Sequence, residues 1–180
     1  MCSSDLAIEK TKAPEVIVLP NNSNVILTAE QAVALAAKQA VVVPTSSLQA
    51  GLAAMVAYDG SRSSEENATA MRDAAAAVAT GAVTIASRDV QLDGLAVQRG
   101  DYLGLLEGEP VAGGKDFDEV AQAVVERLLA EPHDVLTLLT GEEEPSLERL
   151  LNEVEKRHPQ VELEVHSGGQ PLYHLLISAE

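Results

Sequence analysis

The chain has 180 residues, with 28 Asp and Glu against 12 Lys and Arg, for a net charge of −16. A phosphate backbone repels such a surface, which argues against nucleic acid as the main partner; one Phe, three Tyr and no Trp leave no base-stacking platform. A hydrophobic content of 46% argues against a disordered chain, and the core must be built from Ala, Val, Leu and Ile.

Residues 1–6 read as a non-native or disordered leader, and 7–180 as a single α/β domain. Residues 15–19 (EVIVL) are a β-branched run stopped by Pro20, which predicts a buried strand. A loop of Asn21, Asn22, Ser23 and Asn24 follows. Thr28 with Gln31 fits a capping box that opens a helix to about Gln39. Residues 40–43 (AVVV) are a second strand stopped by Pro44. Thr45, Ser46 and Ser47 lead into a helix over about 48–57. The unit strand, proline, polar loop, helix thus occurs twice, the pattern of a parallel pair. Ser63 with Glu66 makes another capping box, for a helix over about 64–80 ended by Gly81.

The middle changes character. Residues 83–90, 95–98, 102–106 and 109–112 are short strand-like runs. They are separated by Asp93-Gly94, Arg99-Gly100-Asp101 and Glu107-Gly108, which predicts an antiparallel meander over about 82–113. Asp116 with Glu119 then starts a helix to about Ala130. A strand over 135–139, a helix opened by Pro145 to about His158, and strands over 161–165 and 172–178 complete the chain. The fold class is therefore α/β: layered βα units on a mainly parallel or mixed sheet, plus the meander.

Cys2 is the sole cysteine, so no intrachain disulfide or Cys-rich metal site is expected, which fits a reducing cytoplasm. No run reaches the roughly 20 apolar residues of a membrane helix. The string from Gly108 to Asp116 has Gly114 where a phosphate-binding P-loop needs Lys, so ATP binding there is rejected. Four histidines lack metal spacing, although His166 and His174 could approach each other near the last strands. No Gly-x-Ser-x-Gly elbow surrounds Ser46 or Ser47, and no catalytic residue is assigned.

Ligands of open α/β sheets collect beyond the carboxyl ends of parallel strands, a position expected of four loops: 21–24, 45–47, 141–144 and 167–170. The expected rim is Asn21, Asn22, Thr45, Ser46, Ser47, Gly168, Gly169 and Gln170, whose amides and hydroxyls suit a carboxylate or phosphate. The same residues also read as helix caps and turns. Residues 116–164 carry 14 acids and 4 bases, a net −10. That stretch is either a solvated face or a docking surface for a basic partner.

Three strings carry a resemblance: Val16-Ile-Val-Leu-Pro-Asn-Asn-Ser-Asn24, Val41-Val-Val-Pro-Thr-Ser-Ser47-Leu-Gln-Ala-Gly51, and Gly168-Gly-Gln-Pro-Leu-Tyr173. In order and spacing they resemble the C-terminal region of the bacterial fatty acid kinase A subunit, in the dihydroxyacetone-kinase-like family. The likeness runs from about Glu9 to Glu180 and implies a fold related to the DegV and dihydroxyacetone-kinase-K domains. It further implies an accessory region that engages a fatty-acid-binding DegV-like protein. In that scheme an N-terminal domain, absent from this sequence, binds ATP and magnesium and phosphorylates the acyl carboxylate. No cofactor is then expected here, and a homodimer of the longer protein stays open. The alternative is a domain that itself holds a fatty acid, acyl phosphate or small anion at the rim.

Overall fold

A computed structural model describes residues 3–92 and 95–180. The expected Asp93-Gly94 turn and the first two residues of the leader lie outside the described residues. The chain divides into two compact units, Met1–Val78 and Ala79–Glu180, where the sequence reads as one domain over 7–180. A helix ending at Ala77 and a strand starting at Ala79 meet at this boundary with no linker, so no change of composition marks it.

The first unit begins with α1 (Ser3–Lys10), which makes residues 3–6 of the expected leader helical. It continues through β1 (Glu15–Val18), a 3-10 turn at Ser23–Val25, α2 (Ile26–Leu35), β2 (Gln39–Val42), α3 (Leu48–Val56) and α4 (Ser64–Ala77). The repeated strand–loop–helix pattern does build a parallel pair, from Glu15 opposite Gln39 to Val18 opposite Val42. With only two strands in this sheet, β1 is half-buried rather than buried. The Thr28 capping box does not form. Asn22 instead caps the 3-10 turn, its Oδ1 accepting from the Asn24 N–H at 2.9 Å, and α2 starts at Ile26. The Ser63–Glu66 box does form, with N–H to side-chain distances of 3.0 and 3.3 Å. Val43, Ala54, Ala68 and Met71 form the core, with Ile17, Leu19 and Val41 against it.

The second unit holds β3 (Ala79–Ile85), β4 (Val90–Leu92), β5 (Leu95–Val97), β6 (Tyr102–Leu106), β7 (Glu109–Gly114), α5 (Phe117–Leu128), β8 (Val135–Thr140), α6 (Glu148–Arg157), β9 (Glu162–Ser167) and β10 (Tyr173–Ala179). Six strands form one sheet in the order β7-β6-β3-β10-β8-β9, and β4 pairs with β5 separately. Only β8 and β9 run parallel; the other pairings in the sheet are antiparallel. The sheet is thus mixed, and mainly antiparallel rather than mainly parallel, because β10 returns between β3 and β8. The meander appears as β3, β6 and β7.

Gly81 is not a helix stop. It lies in β3, where an added Cβ would sit 2.6 Å from Val124, and Gly104 on β6 is covered by the same side chain at 2.6 Å. These two glycines let α5 lie close on the sheet. Asp116 caps α5 by accepting from the Glu119 N–H at 3.0 Å. The buried face of α5, Val120, Val124 and Leu128, meets Leu136, Leu138, Leu175 and Ile177 in the core of this unit. Pro145 does not open α6, which starts at Glu148.

Candidate functional site

The expected rim falls into two clusters, one in each unit. In the first unit, the parallel register of β1 and β2 brings the loop after each strand side by side. Asn21 has φ +53, a left-handed conformation that Asn tolerates better than most residues. Its N–H donates to Thr45 Oγ1 at 3.0 Å, and the Thr45 hydroxyl donates back to Asn21 Oδ1 at 2.7 Å. Thr45 is 1% exposed. Gly51 on α3 leaves the space for this pair: a Cβ there would lie 2.1 Å from Asn21 Oδ1. Ser47 caps α3, accepting from the Ala50 N–H at 3.1 Å. Asn22 and Ser46 stand exposed on the loops.

In the second unit, β8 and β9 run parallel, so the loops after them also lie together. The N–H groups of Gly168 and Gly169 both donate to the Thr140 carbonyl, at 2.9 and 3.0 Å. Gln170 Nε2 donates to the carbonyls of Leu139 at 3.0 Å and Tyr173 at 3.3 Å. Gly141 admits the strand that follows, since a Cβ there would lie 2.1 Å from the Tyr173 carbonyl oxygen. In both clusters, then, the donors expected to receive an anion are largely bonded within their own unit.

Glu142, Glu143 and Glu144 sit in the loop after β8. Glu144 accepts from the Ser167 hydroxyl at 2.7 Å, and the Glu143 carboxylate lies 2.9 Å from His174 Nε2. The His174 ring packs edge-on against Tyr102, with centroids 5.5 Å apart. His166 and His174 are not neighbours, because β8 runs between their strands. His166 instead faces Glu164, at 3.6 Å. Among the described residues no three His, Cys, Asp or Glu side chains gather as a metal site. The string that fails as a P-loop is a hairpin strand. It enters through a two-residue turn at Glu107 and Gly108, both with positive φ.

A pocket of about 460 Å³ in the first unit lies beside β1, not at the strand-end loops. Ile17, Leu19, Met55, Tyr58 and Met71 line it together with Glu15. Ser64 holds the Glu15 carboxyl below its ordinary range, its N–H donating to Oε2 at 2.7 Å. Gly141 and Glu143 fall in the strand-end loop expected over 141–144, but the pairing of Glu143 with His174 and the role of Gly51 were not predicted. Gly51 had a signal as the last residue of the second string carrying the family resemblance.

The family model for the C-terminal region of FakA-like proteins, those like the fatty acid kinase A subunit, matches residues 6–180. The chain belongs to this family. It is 35% identical over 175 residues to uncharacterized proteins of Staphylococcus aureus, among them those of strains USA300 and COL. The match covers 96% of this chain but 32% of each relative, so the chain spans about a third of the length of these family members. The fold is that of DegV-like proteins. The Streptococcus pneumoniae fatty acid kinase B3 protein, solved loaded with linoleic acid, aligns with a TM-score of 0.67 at 13% identity, over 99% of this chain and 76% of that one. A DegV family protein of Corynebacterium glutamicum gives 0.63 at 17% identity, over 98% and 79%. A Thermotoga maritima protein whose structure is described as revealing a fatty acid binding function gives 0.62 at 15%, over 97% and 72%. Among the described residues no helix is long and apolar enough to cross a membrane.

Proposed function

We propose that this chain is a non-catalytic accessory domain of a two-component fatty acid kinase. In this reading it engages a fatty-acid-binding DegV-like protein and presents the bound acyl carboxylate for phosphorylation. The phosphate transfer, with ATP and magnesium, belongs to a kinase domain outside this sequence. Family membership supplies the kinase context. The observation that carries the accessory role is the state of the strand-end loops: the Thr45 hydroxyl, the Gly168 and Gly169 N–H groups and Gln170 Nε2 all donate within the chain. A loop built this way is suited to holding its own shape as a docking surface.

Calorimetric titration of this chain with its cognate fatty-acid-binding DegV-like protein tests the reading. Binding is expected. A chain that fails to bind, when the longer family protein does bind, overturns it. The alternative, a domain that itself carries a fatty acid at the rim, draws support from the lipid-loaded fold relative. It would show as lipid retained by the purified chain in native mass spectra, on the same samples.

A further inference from the structure

The loop between β9 and β10 ends in an unusual turn. The Tyr173 N–H donates to the Pro171 carbonyl at 2.9 Å, closing a three-residue turn around Leu172, whose φ is +72. This is the strained form of the γ-turn, and a branched apolar side chain is a poor occupant of it. The loop is held in place from two sides. The Thr84 hydroxyl donates to the Leu172 carbonyl at 2.6 Å, and Gln170 Nε2 ties the loop to Leu139 and Tyr173. Despite this fixing, the Leu172 side chain is 82% exposed. It lines a groove of about 310 Å³ together with the apolar Ile85, Pro171 and Tyr173 and the acidic Glu142 and Glu143. Ile85 and Tyr173 are themselves partly exposed. The Glu143 side chain is 77% exposed beside a His174 that is 14% exposed.

Strain held at an exposed apolar residue is a feature of ligand clamps and binding loops, and such a residue suits an interface anchor. The charge of the second unit, with Glu142 and Glu143 at the groove itself, points to a basic occupant. The second unit carries 20 acids and 7 bases, a net −13, whereas the first carries 8 and 5, a net −3. A second copy of this chain would bring the same negative charge to the groove and be repelled. A protein surface with an apolar pocket rimmed by Lys and Arg is complementary.

We propose that the groove between the loop after β8 and the loop before β10 is the docking face for the protein partner. Leu172 is its apolar anchor, and Glu142 and Glu143 meet basic residues on the partner. This inference rests on the accessory-domain reading above and names the face that reading requires.

The test titrates the cognate fatty-acid-binding DegV-like protein against the wild-type chain, Leu172→Gly and Glu142→Lys, each at two salt concentrations. Glycine accepts φ +72 without strain, so Leu172→Gly should melt no lower than wild type while binding about tenfold more weakly. Glu142→Lys should weaken binding and flatten its salt dependence. Wild-type affinity in both variants overturns this docking face but leaves the accessory role standing. A wild-type chain that does not bind overturns the accessory role, and the docking face with it. Sedimentation showing that the wild type self-associates and Leu172→Gly does not, with partner binding unchanged, assigns the face to a second copy and also overturns the proposal.

Discussion

Asn21, Thr45 and Gly51 act as one lock. Asn21 and Thr45 each give the other a donor and an acceptor, and Gly51 supplies the space. Thr45→Val keeps the shape but leaves the Asn21 N–H and Oδ1 without their partner. It should cost about 1–3 kcal/mol in urea unfolding, the penalty of leaving two partly buried groups unpaired. Gly51→Ala should cost a comparable ~1–3 kcal/mol, by pushing the Asn21 side chain out of its place. Ser46→Ala, at an exposed position, should change stability by less than about 0.5 kcal/mol; an effect as large as that of Thr45→Val would mean the lock has been misread. The sequence showed that Asn21 and Thr45 sit in loops with hydrogen-bonding capacity. It did not show that they satisfy each other, because they are 24 positions apart and meet only through the register of β1 on β2.

The start of α4 gathers three carboxylates held below their ordinary range, each by a serine. Ser64 acts on Glu15 through its N–H, and the hydroxyl and N–H act together from Ser61 on Asp59 and from Ser63 on Glu66. Their ordinary values are 4.5 for Glu15 and Glu66 and 3.8 for Asp59. A carboxylate with a lowered folded-state pKa adds stability that is complete above its unfolded value and is lost as pH falls through the folded one. The urea midpoint of the first unit should therefore fall as the solution is acidified from 4.5 downward. In the variant Glu15→Gln, Asp59→Asn, Glu66→Gln the same curve should be flatter; parallel curves for the two proteins would remove these groups as the cause. At this scale the legible elements were those with a local chemical signature, such as the Ser63–Glu66 box and the Asp116 cap. The Thr28 box had the same signature but lost to Asn22, whose 3-10 turn starts the helical segment earlier. Gly81 looked like a helix stop because its real role, room for Val124, is set by a helix far along the chain.

Across the whole molecule, the parallel pairing of β1 and β2 was legible because it follows from one motif repeated in sequence. The balance of the larger sheet was not, because β10, the last strand of the chain, inserts between β3 and β8, and no local pattern encodes that placement. The division at Val78 was equally hidden, and it has an energetic consequence. The second unit centres on a cluster in which Leu136, Leu138, Leu175 and Ile177 pack under α5. The first centres on Val43, Ala54, Ala68 and Met71, two of them alanines, under a two-stranded sheet. Burying less apolar surface gives less stabilisation at roughly 25 cal/mol per Å², and small units with small cores are the marginal ones. Local opening should therefore begin in the first unit. Hydrogen exchange read by mass spectrometry should show β1, β2 and α3 exchanging at lower denaturant than β3, β8 and β10. Protection of β1 and β2 equal to that of β8 at every denaturant concentration would mean that the two units unfold as one.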